Sequence, residues 1–300
     1  MTIQQCKYLL EIAKYGSFNE AAKHLFIAQS SLSGSVKALE SELGIKIFER
    51  SKNGVVLTAD GAEFVRYAAK IVEQSDFVLD RYESGDGMER LYIVTQHYDF
   101  IADIFGKMLQ ENDSERYRFA LRETQTYDVI AETATAYSDI GIIAIKDSDE
   151  DIVGRYLRKK GIIFTPVIKV SPHVYMRREH PLASCEKLSW NDLKGYPSVS
   201  YAQGTHGTSF FTEEISGGFE SQKQVEIGDR ATLMNLLLLT DGYTIGTGIM
   251  PSALNRGSII SIPLESNAYY TIGYLLLGGK KRSPMTEEFI RRFTEFAKKI

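Results

Sequence analysis

A short polar segment near the start of the chain combines the side chains best suited to hydrogen bonding with a ligand. It holds an amide, four hydroxyls, a glycine and a lysine: Gln29, Ser30, Ser31, Ser33, Gly34, Ser35 and Lys37. Amides and hydroxyls both donate and accept hydrogen bonds, and a lysine ammonium pairs with phosphate. At the front of a helix, such residues are suited to the base edges and phosphates of duplex DNA. The alternative for each serine is helix capping or simple exposure to solvent.

The spacings that catalysis and metal binding need are missing from the sequence. His173 and His180 lie seven residues apart, and no HxxxH or HExxH pattern occurs that would place two imidazoles on one zinc ion. Gly246 and Gly248 lack the third glycine of a dinucleotide-binding loop, and neither a GxSxG elbow nor a Walker loop is present. We therefore expect no metal, no cofactor and no enzymatic activity.

Three short helices are predicted to position the polar segment. A first apolar run stops at Gly16, where a left-handed helix terminus is favourable. Ser17 and Glu20 have the spacing of a capping box, which predicts a second helix. Ser30 or Ser31 is expected to cap the third. Two helices joined by a tight turn form a helix-turn-helix, whose second helix enters the major groove.

A hairpin is predicted directly after the third helix. Asn53-Gly54 separates two short β-prone runs, and this dipeptide favours a tight turn, so the segment is typical of a wing. Arg50 and Lys52 are its candidate phosphate contacts. The alternative is that they are solvated surface charges.

A long uninterrupted helix follows, because neither proline nor glycine occurs between Ala62 and Ser84. Its apolar positions alternate in spacing between four and three, the rhythm of a coiled-coil seam. They are Phe64, Ala68, Ile71, Ser75, Val78 and Tyr82. An isolated helix of this length is marginal in water, so we expect a homodimer through residues 58–84. The alternative is that the stripe docks on its own domain.

Length and composition are those of a globular protein with more than one domain. The chain has 300 residues, 43% of them hydrophobic and 25% charged, which excludes a disordered or fibrous protein. No apolar run is long enough to span a bilayer and no secretory signal is visible, which predicts a cytoplasmic protein. Cys6 and Cys185 form no CxxC pair, so buried, inert thiols are expected.

Charge is unevenly distributed along the chain. Residues 1–58 carry seven Lys and Arg against five Glu, a net charge of +2, which leaves −6 for the remainder. A mildly basic end on an acidic body fits a DNA-reading module fused to a second domain.

Beyond the small-residue linker Ser84–Gly87, strands and helices alternate, a pattern typical of parallel βαβ units. We expect two such sets, with a short helix near Trp190–Leu193 in the second, and hence an α/β body that is doubly wound. The predicted domains are a DNA-binding domain at 1–58, a linker helix at 59–86 and a ligand-binding domain at 87–300. The last divides into one lobe at about 89–163 and 268–300 and another at about 164–267.

The N-terminal segment closely resembles the DNA-binding end of LysR-type transcriptional regulators. The residues that carry the likeness are Gly16-Ser17-Phe18, Ala21-Ala22, Leu25, Gln29, Leu32-Ser33, Lys37-Ala38-Leu39-Glu40, Leu43-Gly44, Phe48-Glu49-Arg50, Leu57-Thr58 and Gly61. A weaker likeness continues through Asp139-Ile-Gly-Ile, Glu179–Ala183 and Gly242–Pro251. The resemblance implies a winged helix-turn-helix, a dimerising linker helix and an effector domain similar to type 2 periplasmic binding proteins.

The same resemblance implies a ligand crevice between the two lobes, where helix N-termini converge. The residues expected to line it are Gln96, His97, Tyr98, Gln125, Thr126, Ser200, Tyr201, Gln203 and Thr247. Hydroxyls and helix N-termini favour an anion, so a small carboxylate is the expected effector. The partners implied are double-stranded DNA, a second copy or a tetramer of this chain, and RNA polymerase if the protein is an activator.

The sequence departs from the family pattern at four positions. Ser30 and Gly34 stand where the family commonly has Pro and Arg, and the loss of Arg removes the commonest bidentate reader of guanine. His97 and Tyr98 replace small residues and could fill the crevice. Two alternatives therefore stay open: a DNA-binding protein without an effector, and a two-lobed enzyme with an N-terminal dimerisation segment.

Overall fold

The computed structural model describes residues 1–51, 54–82, 88–202, 221–250 and 257–300. The chain divides into two units, Met1–Asp86 and Gly87–Ile300. None of the helices within the described ranges is both long and apolar enough to cross a membrane. The first unit contains helices α1 (Ile3–Tyr15), α2 (Phe18–His24), α3 (Gln29–Leu43) and α4 (Ala59–Tyr82), with strands β1 (Phe48–Ser51) and β2 (Gly54–Leu57).

The ends of the first helices are fixed by their flanking residues. The Ser17 hydroxyl accepts a hydrogen bond from the Glu20 amide at the start of α2, as its spacing predicts. Gly16 ends α1 in the left-handed conformation that a side chain disfavours. Leu9, Ile12 and Leu32 are fully buried where the helices meet. This packing fixes the orientation of α3.

The predicted cap of α3 is wrong. The N-cap is Ala28, which has no side-chain cap hydrogen bond, and Ser30 and Ser31 lie within the first turn. Sequence reasoning favoured a serine because hydroxyls are the preferred caps. Since the helix begins earlier, both hydroxyls are exposed on its first turn.

The wing is an antiparallel pair of β1 and β2. Its base is tied to α3 by Glu40, whose Oε1 accepts the Ile47 amide at 2.8 Å and the Phe48 amide at 3.3 Å. These two amides and Lys46 lower the pKa of the Glu40 carboxyl against the opposing effect of its partial burial. The wing and α3 are therefore joined by a charge-assisted contact.

Helix α4 packs along α1 of its own unit. Ala68 is fully buried, Phe64 packs on the core of the three helices, and Lys7 pairs with Asp76 at 2.8 Å. The first half of the predicted dimer seam thus docks on its own domain. Further along, Val78 and Leu79 are half exposed.

The second unit alternates strands and helices along most of its described length. Its elements are β3 (Glu89–Thr95), α5 (Asp99–Gln110), β4 (Tyr117–Glu123), α6 (Thr126–Ala134), β5 (Ile140–Lys146), α7 (Glu150–Lys159), β6 (Ile162–Val170), β7 (His173–Arg177), β8 (Ser198–Tyr201), β9 (Gln224–Ile227), α8 (Arg230–Leu239), β10 (Thr244–Gly246), β11 (Ile259–Pro263), β12 (Tyr270–Leu277) and α9 (Pro284–Ala297).

The strands form two lobes of similar topology. In the first lobe, the described residues give a five-stranded sheet of order β4-β3-β5-β12-β6, in which β3, β4 and β5 are parallel and β12 runs antiparallel. In the second lobe, β8 pairs with β9 in parallel, and β7 lies between antiparallel β10 and β11. The body is thus doubly wound, as predicted, with antiparallel strands where the chain crosses between lobes.

Two local predictions fail in this unit. Residues Trp190–Leu193 form turns instead of a helix. Helix α7 was not predicted, although Val153 and Leu157 are buried on one face of it. Its apolar residues are few and lie among charged ones, but they recur with helical spacing, so the sequence did carry a signal for this helix.

Acidification is expected to destabilise the second unit through His180, which is 3% exposed. Its Nδ1 accepts the Leu182 amide, so Nε2 carries the proton and donates to the Asp241 carbonyl. Burial lowers the pKa of His180 below its ordinary value. The unfolded chain therefore takes up a proton before the folded one does, and stability is lost as pH falls below about 6.5.

Urea unfolding followed by fluorescence of the single tryptophan, Trp190, measures this loss. Between pH 7.5 and pH 5.5, the transition midpoint of the wild type should fall more than that of His180→Gln. Equal shifts in the two proteins would contradict the assignment to His180.

Candidate DNA interface and ligand crevice

The front of α3 presents its polar side chains to solvent. Gln29, Ser30, Ser31, Gly34 and Lys37 are exposed. Ser33 and Ser35 are partly buried. Between them, the apolar stripe Leu32, Val36 and Leu39 faces the core. One face of α3 therefore holds the fold while the other displays hydroxyl, amide and ammonium groups together.

Two predicted phosphate contacts belong to the wing. Arg50 lies in β1, opposite Val55 of β2. Lys52 lies outside the described residues. Gly54 has a φ of +132°, in the region that favours glycine, and the neighbouring Val55 amide donates to the Gly16 carbonyl at 2.9 Å. These contacts hold the wing beside the start of α2.

Among the described residues of the second unit, three helices begin at the crevice between its lobes. Helices α5 and α6 belong to the first lobe and have no side-chain cap hydrogen bond at their N-caps, Tyr98 and Gln125. Helix α8 belongs to the second lobe and is capped by Asp229. Helix N-termini carry partial positive charge, so this convergence favours bound anions.

Gln96 and Thr126 are buried in a hydrogen-bond network within the first lobe. Gln96 is 1% exposed, its Nε2 donates to the Thr126 hydroxyl, and its Oε1 accepts the Ala144 amide at 2.7 Å. The Tyr98 hydroxyl donates to the same oxygen, and the Tyr98 ring stacks on Phe100 at 5.2 Å in the lobe core. Their polar atoms are engaged in hydrogen bonds within the lobe. These residues therefore support the floor of the crevice and are less available to a ligand.

Across the crevice, predicted residues of the two lobes contact one another. The His97 ring stacks on the Tyr201 ring with centroids 3.9 Å apart and planes 10° apart. Beside this stack, Gln125 Nε2 donates to the Ala202 carbonyl at 2.8 Å. Two of the loops that were predicted to bind a ligand, at His97 and Gln125 in the first lobe, therefore contact the third, at Tyr201 and Ala202 in the second.

Arg230, at the start of α8, forms an ion pair that sequence reasoning missed. Its guanidinium lies 2.5 Å from Asp99 Oδ1 and 3.0 Å from Glu123 Oε1, both in the other lobe. The side chains of Arg230, Asp99 and Glu123 are 25%, 13% and 19% exposed, so solvent screens the pair only partly. Their separation in sequence left no local signal.

The remaining crevice predictions lie in the second lobe. Thr247 is 7% exposed, and its hydroxyl lies 3.5 Å from the Tyr175 hydroxyl. Burial raises the pKa of Tyr175 to about 12, so this phenol stays protonated and can donate at neutral pH. Ser200 is partly buried on β8. Gln203 lies outside the described residues.

Two family models match the chain, one for each unit. Residues 3–62 match the model described as "Bacterial regulatory helix-turn-helix protein, lysR family". Residues 115–298 match the model described as "LysR substrate binding domain". The second match alone spans more than half of the chain.

Relatives are similar over the whole length or over the first unit only. The Escherichia coli uncharacterized HTH-type transcriptional regulator YbhD is 24% identical over 96% of this chain and 89% of its own. The Bacillus subtilis uncharacterized HTH-type transcriptional regulator YcgK is 46% identical over 26% of this chain and 24% of its own. The higher identity lies in the shorter match.

Among solved structures, full-length CbnR complexed with its target DNA is similar in fold. The TM-score is 0.63 at 18% identity, and the match covers 100% of this chain and 99% of that chain.

Proposed function

This chain belongs to the LysR family of bacterial helix-turn-helix transcriptional regulators, and from that premise we propose a role for each of its two units. The first unit binds DNA and the second is the family's effector-binding domain. In our proposal, the exposed face of α3 enters the major groove, with Gln29, Ser30, Ser31, Ser33, Gly34 and Ser35 near base edges. Lys37, Arg50 and Lys52 contact phosphates.

The observation that carries this proposal is the exposure of the polar face of α3. Because Ala28 is the N-cap, the hydroxyls of Ser30 and Ser31 are not engaged as caps and lie on the first turn. Hydroxyls contact bases or phosphates equally well, so these serines should accept several bases and should not select guanine strictly. Because Gly34 has no side chain to contact a base, the protein should accept a wider range of DNA sequences than it would with arginine at this position.

Oligomerisation through α4 is part of the same proposal. Val78 and Leu79 are 50% and 55% exposed, and they stand on the part of the helix beyond the packed Ala68. A second copy covering them would place two recognition helices on successive major grooves of an interrupted palindrome. If the protein is an activator, RNA polymerase is a further partner.

The proposed effector is a small molecule that binds between the lobes and shifts their closure. A carboxylate is favoured by the uncapped N-termini of α5 and α6, and it would compete with Asp99 and Glu123 for Arg230. A ligand can change DNA binding only through unequal affinity for the open and closed arrangements. We propose no enzymatic role for this crevice.

A second candidate function is DNA binding without an effector. It is favoured by the stack of His97 on Tyr201 and the bond from Gln125 to Ala202, which occupy the predicted ligand position. Thermal unfolding in the presence of small mono- and dicarboxylates separates the two functions. A rise in the midpoint with one acid, absent in Arg230→Met, supports the effector; no rise with any supports the second function.

Selection of duplexes from a random pool at two salt concentrations tests the DNA-binding proposal. Recovery of an interrupted palindrome that persists at higher salt is the expected result. Failure to bind any duplex at low salt would contradict it.

Replacing Lys37 by glutamine should weaken binding to all sequences by a similar factor. Its ammonium is proposed to contact phosphate, so the slope of log affinity against log salt should fall by about one unit. Lys187→Gln, on the second unit, is the control and should leave the slope unchanged. A change of sequence preference without a change of slope would instead place Lys37 on a base.

A further inference from the structure

The turn between α2 and α3 is a Schellman motif with an unusual residue at its key position. The Phe26 amide donates to the Lys23 carbonyl at 3.2 Å, and the Ile27 amide donates to the Ala22 carbonyl at 3.1 Å. These two bonds close the C-terminus of α2 after its C-cap, Leu25. The position of Phe26 requires a left-handed backbone and is usually occupied by glycine or asparagine.

Phe26 adopts this conformation with a φ of +54°. A β-carbon disfavours it, and a bulky residue there is an outlier. The side chain gains no compensating core packing, since 95% of it is exposed. The turn thus holds a large apolar ring in solvent at a backbone position where the chain would fold better with asparagine.

The ring lies next to the proposed DNA-reading surface. Phe26 precedes the first residue of α3, Gln29, by three positions, and Gln29, Ser30 and Ser31 are exposed. On the other side of the turn, Lys23 and His24 are exposed, and Lys23 pairs with Glu20 at 2.8 Å. An exposed apolar ring beside amide and hydroxyl groups suits a surface that is anionic at its edges and apolar between them.

We propose that Phe26 is a DNA-contacting residue, whose ring packs on a deoxyribose or a thymine methyl beside the bases faced by α3. Duplex DNA provides such apolar groups between its phosphates, and phenyl contact with the thymine methyl is a known mode of readout. The left-handed backbone serves this contact because it directs the ring away from the helical core. The inference rests on the proposed placement of α3 in the major groove.

The test compares substitutions that suit a left-handed backbone with one that retains the ring. Phe26→Asn and Phe26→Gly remove the ring, and Phe26→Tyr keeps an aromatic ring. Ala136→Gly is the backbone control, because Ala136 has a φ of +57° and lies in the second unit. Affinity is measured for the full chain on a duplex recovered by selection, as a function of salt, with thermal unfolding alongside.

Phe26→Asn and Phe26→Gly are expected to bind about tenfold more weakly, the loss expected when a phenyl ring no longer buries its surface. The salt slope should stay unchanged, since no phosphate contact is lost. Phe26→Tyr should bind within about twofold of the wild type, and Ala136→Gly should equal it. The thermal midpoint of Phe26→Asn should be equal to or higher than that of the wild type.

Two results would overturn the inference. One is affinity within about twofold of the wild type for both Phe26→Asn and Phe26→Gly. The other is weaker binding together with a reduced salt slope, because that pattern means displaced phosphate contacts instead of a lost apolar one. An error in the placement of α3 appears separately, as an unchanged affinity, sequence preference and salt slope in Lys37→Gln.

Discussion

Replacing Gly61 by alanine is expected to lower the free energy of unfolding of the first unit by about 2–3 kcal/mol. Gly61 lies in the first turn of α4, where a β-carbon would overlap the carbonyl oxygen of Ile47 and lie 2.8 Å from its carbon. That carbonyl cannot move easily, because it accepts the Thr58 amide at 3.1 Å. The clash is with backbone, so no side-chain rotation relieves it.

Gly34→Ala is the matched control within the same unit. A β-carbon at Gly34 meets nothing within 4 Å, and the residue is exposed in the interior of α3. Alanine there should raise the free energy of unfolding by about 1 kcal/mol, since glycine is the poorer helix former. Urea unfolding followed by far-ultraviolet circular dichroism measures both variants, and Trp190 fluorescence reports the second unit separately. If Gly61→Ala instead raised the free energy of unfolding and Gly34→Ala lowered it, the close approach of Gly61 to the Ile47 carbonyl would be wrong.

The DNA affinity of Gly61→Ala should fall with its stability at temperatures near the unfolding midpoint and recover on cooling. The reason is that α4 begins beside Ile47, which is fully buried in the core that supports α3. A loss of affinity that persists when the unit is fully folded would instead indicate a direct role of Gly61 in binding.

Replacing Arg230 by methionine is expected to destabilise the second unit by about 1–3 kcal/mol and to open its crevice. The change leaves Asp99 and Glu123 facing each other with little solvent, and removing one partner of a partly buried ion pair leaves a charge uncompensated. The exposed fractions of these side chains reduce the effect below that of a fully buried pair. Because the contact joins the two lobes, its loss favours their separation.

Trp190 fluorescence during urea unfolding gives the change in stability, and hydrogen exchange in the first turn of α8 reports opening. These amides should exchange faster in Arg230→Met. Neutralising the partners as well, in the triple variant with Asp99→Asn and Glu123→Gln, should recover part of the loss. Lys187→Gln is the control: its pair with Glu265 is 57% and 65% exposed, and removing it should change stability little.

If Arg230→Met were as stable as the wild type and exchanged no faster, the ion pair would not contribute to closure. In the proposed mechanism, an effector that carries a carboxylate must compete for this guanidinium. The same variant should therefore show a weaker response to any carboxylate that stabilises the wild type.

The DNA-binding unit was predictable from sequence because its signals are local. The cap Ser17, the terminator Gly16 and the wing at Gly54 all act within a few residues, and the structure confirms each. Of the predicted capping box it shows the bond from the Glu20 amide to the Ser17 hydroxyl, while the Glu20 carboxylate pairs with Lys23. The cap of α3 was the exception. There the N-cap is Ala28, two residues before the nearest serine, Ser30.

In the second unit, periodicity predicted the alternation of β3 to β5 with their helices but not the weakly apolar α7 or the turns at Trp190–Leu193. Val153 and Leu157 are buried in the core beside the sheet, which stabilises α7. Its apolar residues recur with helical spacing but are few among charged ones.

The sequence by itself determined the family and the order of most elements, since both depend on short-range pattern, and the resemblance to the family implied which loops meet at the crevice. Only the tertiary structure decided which contacts those loops make with one another. The stack of His97 on Tyr201 and the pairing of Arg230 with Asp99 and Glu123 join residues about a hundred positions or more apart. Contacts at such separations depend on how the two lobes pack, and no spacing within the chain encodes them.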